Sequence, residues 1–298
     1  MFLIKVEKQM KEKKIVEIVD KNAEWKQQVG WDKLNPFERM ELLEREGIFD
    51  VHVTDDPVTY ELQPDEIDYT QKRLITKIKS KLANTASHIG VNHFIKKGMF
   101  ALKEIKGLEN WQNVKTGSIV TCNHFSPNDS FVTQKVLKAS KKKKLYRVIL
   151  EGNYTNPPML KFFMRNCDVL PLSSNGKTMK KFLRAVDEIL GRGDNILVYP
   201  EQAMWINYRK PRPLKEGAFR FAAKNNVPVV PMFITTEDST NKKGEPMPVY
   251  TMHILEPIYP KQDLSVRENT EYMKNLNYEM WVKLYEEVYG EKLEYLTK

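Results

Sequence analysis

The stretch that decides the fold of this 298-residue chain is Ile119-Val120-Thr121-Cys122-Asn123-His124-Phe125-Ser126-Pro127-Asn128-Asp129-Ser130. It opens with an apolar, β-branched run of the kind that forms a buried strand. Ser126 is a good helix N-cap, and Pro127 suits the first position of a helix. The sequence therefore predicts a strand that turns sharply into a helix, with His124 in the bend and Asp129 in the first helical turn.

The bend allows a histidine and a carboxylate to meet. On one straight helix, two side chains five residues apart would point about 140° away from each other. Across a bend, the Asp129 carboxylate can hold one imidazole nitrogen of His124 and leave the other nitrogen free as a base. Alternatively, Asp129 completes a capping box with Ser126, and His124 is a buried histidine bonded to the backbone. This stretch alone leaves both interpretations open.

From about residue 107, short β-rich runs alternate with helical stretches. We predict strands at 118–122, 146–150, 168–172, 195–199, 227–234 and 250–255 and helices at 178–190, 218–225 and 265–289. Such alternation is typical of α/β domains. We therefore predict an α/β domain over residues 107–298, with a mixed central sheet flanked by helices.

The charge of +9 is unevenly distributed along the chain. Residues 1–66 carry a net charge of −6, which leaves +15 for the remainder. We interpret residues 1–66 as an acidic N-terminal appendage of unknown role. Residues 67–106 combine many lysines with apolar residues at helical spacing, and we predict a basic amphipathic helical segment that lies at a membrane interface. A surface helix packed on its own domain is the alternative.

Several classes of protein and site are disfavoured. The two cysteines, Cys122 and Cys167, and the five scattered histidines lack the spacing of a metal site, so we expect no metal and no disulfide framework. The chain lacks a recognised nucleic-acid motif and a glycine-rich phosphate loop, so no nucleic-acid partner is expected. It also lacks a long apolar run and a secretory signal, and we expect a cytoplasmic protein.

Three motifs in order resemble those of the glycerolipid acyltransferase family, which includes 1-acylglycerol-3-phosphate acyltransferases. The segment from Asn123 to Asp129 resembles its Asn-His-x-Ser-x-x-Asp motif. Tyr199-Pro200-Glu201 is similar to its aromatic-Pro-Glu motif, and Val227-Pro228-Val229-Val230-Pro231 to its later Val-Pro strand. The resemblance covers roughly residues 107–235.

The resemblance implies transfer of a fatty acyl group from a thioester to a hydroxyl group of a glycerol phosphate. His124 would be the general base, oriented by Asp129, while Asn123, Ser126 and Glu201 would contact substrate. The donor would be acyl-CoA or acyl carrier protein, which act as substrates, and no cofactor is implied. The acceptor would be a lysophospholipid such as 1-acylglycerol 3-phosphate. Because its acceptor and product are lipids, the enzyme would lie peripherally on the anionic inner face of the cell membrane.

Two departures from the family pattern concern the acceptor phosphate. The arginine that follows the Pro-Glu motif is replaced within Gln202-Ala203-Met204-Trp205, and the arginine of the second motif is absent from the corresponding segment 169–174. Nearby cations could compensate, and we predict that Arg165, Arg209 or Lys210 holds the phosphate. The departures also keep other acceptors open, namely glycerol 3-phosphate or a lyso-ornithine lipid. A third alternative is a non-catalytic protein that binds anionic lipid.

Overall fold

The structure, a computed structural model, describes residues 15–16, 22–55, 58–142, 144–155 and 161–297. Its centre is a seven-stranded sheet with the order β1-β7-β6-β2-β5-β3-β4. Neighbouring strands are parallel except for the antiparallel pair β6 and β7. The strands are β1 (Ala101–Lys106), β2 (Ser118–Thr121), β3 (Leu145–Ile149), β4 (Val169–Pro171), β5 (Asn195–Val198), β6 (Val229–Thr240) and β7 (Pro246–Ile254).

Helices precede the sheet and connect its strands. Among the described residues, those before β1 are α1 (Ala23–Gln28), α2 (Pro36–Arg45) and α3 (Leu74–Lys96). The others are α4 (Leu108–Gln112), α5 (Asn128–Ser140), α6 (Glu151–Thr155), α7 (Lys161–Asn166), α8 (Gly176–Gly191), α9 (Gly217–Asn225) and α10 (Val266–Tyr289). A capping box between Ser265 and Glu268 starts α10, and Gly290, with φ of +72°, ends it.

Both faces of the sheet are buried. Successive residues of a strand point to opposite faces, so neighbouring residues of β2 pack in different clusters. Ile119 of β2 packs in a cluster with Phe182 of α8 and Phe219 of α9. The next residue, Val120, packs in a second cluster that contains Val132 of α5. The predicted α/β class, a mixed sheet flanked by helices, is confirmed.

The basic segment at residues 67–106 contains two kinds of structure. Residues 74–96 form α3, but residues 101–106 form β1, an edge strand parallel to β7. The run Ala101-Leu102-Lys103-Glu104-Ile105-Lys106 places Leu102 and Ile105 against the core around Val120. A shift in register between residues 102 and 104 brings both apolar side chains to the same face. The amphipathic helix therefore ends before the last part of the predicted segment.

The N-terminal residues pack on the loop that follows β5. Trp31, Leu43 and Val53 form a buried cluster with Ala203 and Trp205. The indole Nε1 of Trp205 donates a hydrogen bond of 2.9 Å to the carbonyl oxygen of Val51. This acidic part of the chain thus covers the segment directly after the Pro-Glu motif.

Candidate active site

His124 and Asp129 meet at the bend between β2 and α5. The Nδ1 atom of His124 lies 2.7 Å from Oδ2 of Asp129. The His124 side chain is 20% exposed, whereas the Asp129 side chain is completely buried. The imidazole is therefore held through one nitrogen at the surface of the protein, which leaves Nε2 as the nitrogen that can exchange a proton with a ligand.

The start of α5 differs from the capping box that the sequence also allows. The helix α5 begins at Asn128, one residue later than Pro127, and the backbone N–H of Asn128 donates to Oγ of Ser126 over 3.2 Å. Oδ2 of Asp129 also faces the backbone N–H of Ser126 at 3.5 Å. A capping box is not formed, because the Asp129 backbone N–H donates to the carbonyl oxygen of Ser126 over 3.1 Å and not to its hydroxyl. The contact between His124 and Asp129 is therefore the interpretation that the structure favours.

Tyr199 contacts both His124 and Asp129. The sequence motif indicates only that this position is aromatic. Its ring stacks on the imidazole of His124, with centroids 4.1 Å apart and planes tilted by 19°. Its hydroxyl donates to Oδ1 of Asp129 over 2.9 Å. Burial, followed by the charge of Asp129, raises the pKa of Tyr199 well above its usual value. The neutral phenol therefore acts as a donor that keeps Asp129 in place.

Glu201 and Arg212 clamp the backbone of His124. Oε2 of Glu201 accepts the His124 backbone N–H at 3.0 Å and the Arg212 guanidinium at 2.7 Å. The same guanidinium donates to the carbonyl oxygen of His124 over 3.1 Å. Both side chains are almost completely buried, at 2% and 1% exposed. Glu201, which the resemblance places at the acceptor, is here bonded to protein groups on both oxygens.

The side chain of Asn123 also bonds to the protein backbone. Its side-chain oxygen accepts the backbone N–H of Ile234 over 2.8 Å, and its nitrogen donates to the Ile234 carbonyl over 3.0 Å. These two bonds join the end of β2 to β6 beyond the regular ladder. The side chain is 3% exposed in total, so its hydrogen-bonding groups serve the sheet.

The three cations predicted to hold the phosphate are engaged elsewhere. Arg209 pairs with the exposed Asp238 at 2.6 Å, and Lys210 pairs with the buried Glu44 at 2.7 Å. Among the described residues, neither of these cations nor Arg165 contacts His124 or Asp129.

Arg165 differs from the other two because it lacks a carboxylate partner within the described residues. Its guanidinium donates to the carbonyl oxygens of Tyr154 and Thr155 over 2.9 and 3.1 Å.

A buried arginine that the sequence reasoning missed lies next to this region. Arg147 of β3 is 8% exposed, and the one hydrogen bond of its side chain within the described residues is a long one, 3.5 Å, to the carbonyl oxygen of Cys167. Its charge is close enough to Tyr199 to oppose the rise in that residue's pKa. A buried guanidinium without a carboxylate partner is costly, so Arg147 retains capacity for an anion.

Two further properties concern the described residues as a whole. They contain no group of three or more His, Cys, Asp or Glu side chains arranged to hold a metal ion. Each helix in the described ranges is too short or too polar to span a lipid bilayer.

Comparisons with known proteins agree on one family. Residues 103–235 match the family model named Acyltransferase. Over 134 residues the chain is 28% identical to the 1-acyl-sn-glycerol-3-phosphate acyltransferase BAT2, chloroplastic, of Brassica napus, covering 45% of this chain and 37% of the relative. The chain thus spans a little over a third of that relative's length.

A solved structure has a similar fold. It is the crystal structure of the 1-acyl-sn-glycerophosphate (LPA) acyltransferase PlsC from Thermotoga maritima, with a TM-score of 0.50 and 19% identity. The likeness covers 76% of this chain and 87% of that one. The matched residues 103–235 contain the bend with His124 and Asp129, the Tyr199-Pro200-Glu201 segment and the start of β6. These residues are therefore similar to acyltransferases in sequence, and the chain is similar in fold to the solved structure.

Proposed function

We propose that this protein transfers a fatty acyl group from an acyl thioester, on coenzyme A or acyl carrier protein, to the free hydroxyl of 1-acylglycerol 3-phosphate. The product would be phosphatidic acid. The observation that carries the proposal is the 2.7 Å contact between Nδ1 of His124 and Oδ2 of Asp129 at a partly exposed bend. The match of residues 103–235 to the family model named Acyltransferase supports acyl transfer as the reaction class.

The geometry supports direct attack by the acceptor hydroxyl. An alcohol is a poor nucleophile at neutral pH, so Nε2 of His124 removes its proton as the oxygen bonds to the thioester carbonyl carbon. The Asp129 carboxylate stabilises the resulting imidazolium. When the tetrahedral intermediate collapses, the carbon–sulfur bond breaks, and the imidazolium returns the proton to the departing thiolate. No nucleophilic serine is needed, and the Ser126 hydroxyl oxygen accepts the backbone N–H of Asn128.

For the acceptor phosphate, we propose Arg165 as the first ligand. Of the three cations predicted from sequence, it is the one bonded only to neutral carbonyl oxygens, so binding a phosphate would break no ion pair among the described residues. Arg147 bonds to Cys167, two residues beyond Arg165, and would add a second guanidinium charge nearby. Arginine suits this role because its planar group binds two phosphate oxygens at once.

For access to lipid, we propose that α3 lies in a membrane interface. Five apolar residues on this helix, each more than half exposed, fall within an arc of about 100° at the helical period. They are Leu74, Ile75, Ile78, Leu82 and Ile89. Lysines at positions 77, 79 and 81 flank this apolar stripe. An exposed apolar stripe bordered by lysines fits the boundary between acyl chains and anionic headgroups.

The test is a matrix of donors and acceptors. Purified protein is incubated with acyl-CoA or acyl carrier protein and with lysophosphatidic acid, glycerol 3-phosphate or lyso-ornithine lipid, and products are identified by mass. We expect phosphatidic acid from lysophosphatidic acid, and no product with His124→Ala. Product from another acceptor alone would overturn the proposed substrate. Lipid binding without any acyl transfer would favour the non-catalytic alternative.

A further inference from the structure

A cavity lies at the end of the sheet that is opposite to the end carrying His124. It has a volume of about 990 Å³ and opens between α3 and the last turn of α5, where β3, β4 and β5 begin. His124 follows the carboxyl end of β2, which is parallel to β5, and β5 is parallel to β3. A strand of five residues is about 16 Å long. A phosphate bound in this cavity would therefore not contact the catalytic pair.

The cavity carries an excess of positive charge. Seven basic and two acidic side chains line it. Lys144 lies 3.4 Å from Asp168, and Arg192 lies 2.6 Å from Asp194, so each carboxylate already has a basic partner. The other five basic side chains have no carboxylate partner within the described residues: Lys77, Lys81, Lys138, Lys141 and Lys142. We refer to this lysine-lined cavity as the amino-edge pocket.

The floor of the amino-edge pocket is rigidly built. Asp168 is 6% exposed and accepts hydrogen bonds from Gln71 at 2.6 Å, Ser80 at 2.7 Å and Asn84 at 2.9 Å. These donors come from α3 and the turn before it, so they tie that helix to the start of β4. Because the Asp168 carboxylate is satisfied by neutral donors and Lys144, it does not neutralise the five remaining lysines. These lysines therefore remain available to an anion from solution.

An unsatisfied polar atom lies in the same cavity. The Nε2 atom of His88, a lining residue, is buried and has no hydrogen-bond partner in the described part of the chain. Burial, followed by the charges of Lys138 and Lys135, lowers the pKa of His88. Buried polar atoms in proteins are almost always hydrogen-bonded. A rotation of the His88 ring toward a bound anion would give Nε2 its missing partner, and the anion would reduce the repulsion from the two lysines.

We propose that the amino-edge pocket binds a phosphate group, at a site separate from the reaction centre. Several lysines around one cavity match an anion with more than one negative charge better than a single carboxylate, and lysine binds phosphate as a point charge. Ile89 lines the cavity while its side chain is 66% exposed. The phosphate could therefore come from the headgroup of an anionic phospholipid, whose chains would contact Ile89, or from a soluble phosphate compound.

A pair of charge-matched variants tests this site. The pocket variant Lys138→Gln, Lys141→Gln removes two exposed lysines that line the cavity and lie outside α3. The control variant Lys96→Gln, Lys97→Gln removes two exposed lysines at the end of α3 that do not line it. The net charge changes equally in both. None of these lysines has a carboxylate partner among the described residues, so both variants should fold.

Two arms distinguish the source of the phosphate. In the first, pyrophosphate is titrated into the full-length protein while the His88 ring resonances are followed by NMR. In the second, sedimentation compares binding to phosphatidylcholine vesicles with and without phosphatidic acid. In at least one arm, we expect affinity about tenfold weaker for the pocket variant than for the control variant. A response in the first arm indicates a soluble phosphate compound, and a response in the second alone indicates a lipid headgroup.

The proposal is overturned if the pocket and control variants lose affinity equally in both arms, or if wild type binds neither probe. Acyl transfer to a detergent-dispersed acceptor provides an independent readout. We expect it to be unchanged in both variants, because the pocket lies at the opposite end of the sheet from His124. Failure of the phosphate site and failure of the proposed enzyme activity are therefore distinguishable.

Discussion

Replacing Glu201 by glutamine tests whether this residue holds the backbone of His124 or binds the acceptor. In the structure, its carboxylate neutralises Arg212 and accepts the backbone N–H of His124. The variant keeps the size of the side chain but leaves the guanidinium of Arg212, 1% exposed, without its counter-charge. Breaking one partner of a buried ion pair costs about 3–5 kcal/mol. We therefore expect a melting temperature about 6–15 °C lower, with a reduced kcat because His124 loses its backbone clamp.

The assay combines thermal unfolding with steady-state kinetics of acyl transfer. Glu216→Gln is the matched control, because Glu216 is 69% exposed and lies 3.8 Å from Lys274. Loss of such an exposed pair costs at most about 1 kcal/mol. If Glu201 instead binds the acceptor, Glu201→Gln would raise the KM for the acceptor and leave the melting temperature near that of wild type. That result would refute the clamp.

Three other substitutions test separate parts of the account. Tyr199→Phe removes the donor to Asp129 but keeps the stacked ring, so kcat should fall about tenfold or more with little change in KM; an unchanged kcat would contradict the positioning role. Ile78→Ser with Leu82→Ser should weaken vesicle binding about tenfold per substitution, whereas Val288→Ser, an exposed residue of α10, should not; equal losses would argue against α3 as the interface. Burial, followed by the charge of Lys106, lowers the pKa of His253 below its usual value of about 6.5. The unfolded chain thus binds the proton more readily than the folded protein. The free energy of unfolding measured in urea should therefore fall as the pH drops from 7.5 to 5.5, and it should fall less in His253→Gln. An equal fall in wild type and variant would show that His253 does not contribute.

The bend at His124 could be predicted because its signals are local. A β-branched run, an N-cap serine and a proline within twelve residues fix where the strand ends and the helix begins. The same holds for α10, whose capping box and terminal glycine are adjacent to its apolar pattern. For this reason the sheet, its flanking helices and the meeting of His124 with Asp129 could all be anticipated.

The remaining parts of the site depend on contacts between distant segments. Arg212 follows Glu201 by eleven residues in an irregular loop, and no periodicity indicates that its side chain returns to the carbonyl of His124. The N-terminal cluster around Trp31 and Trp205 joins segments that are far apart in sequence. Charged residues in β1 concealed an edge strand, because Lys103 and Glu104 are exposed there and resemble a helix surface. All three features depend on tertiary packing between distant segments, for which a single sequence contains no local pattern.

The most direct test of the central claim is the rate at which Asp129→Asn forms phosphatidic acid from acyl thioester and lysophosphatidic acid. The amide keeps the shape of the carboxylate but cannot stabilise an imidazolium on His124. We predict a kcat at least about 100-fold below that of wild type, with the folded structure retained in circular dichroism. A folded variant with a kcat within about threefold of wild type would contradict general-base catalysis by the His124–Asp129 pair.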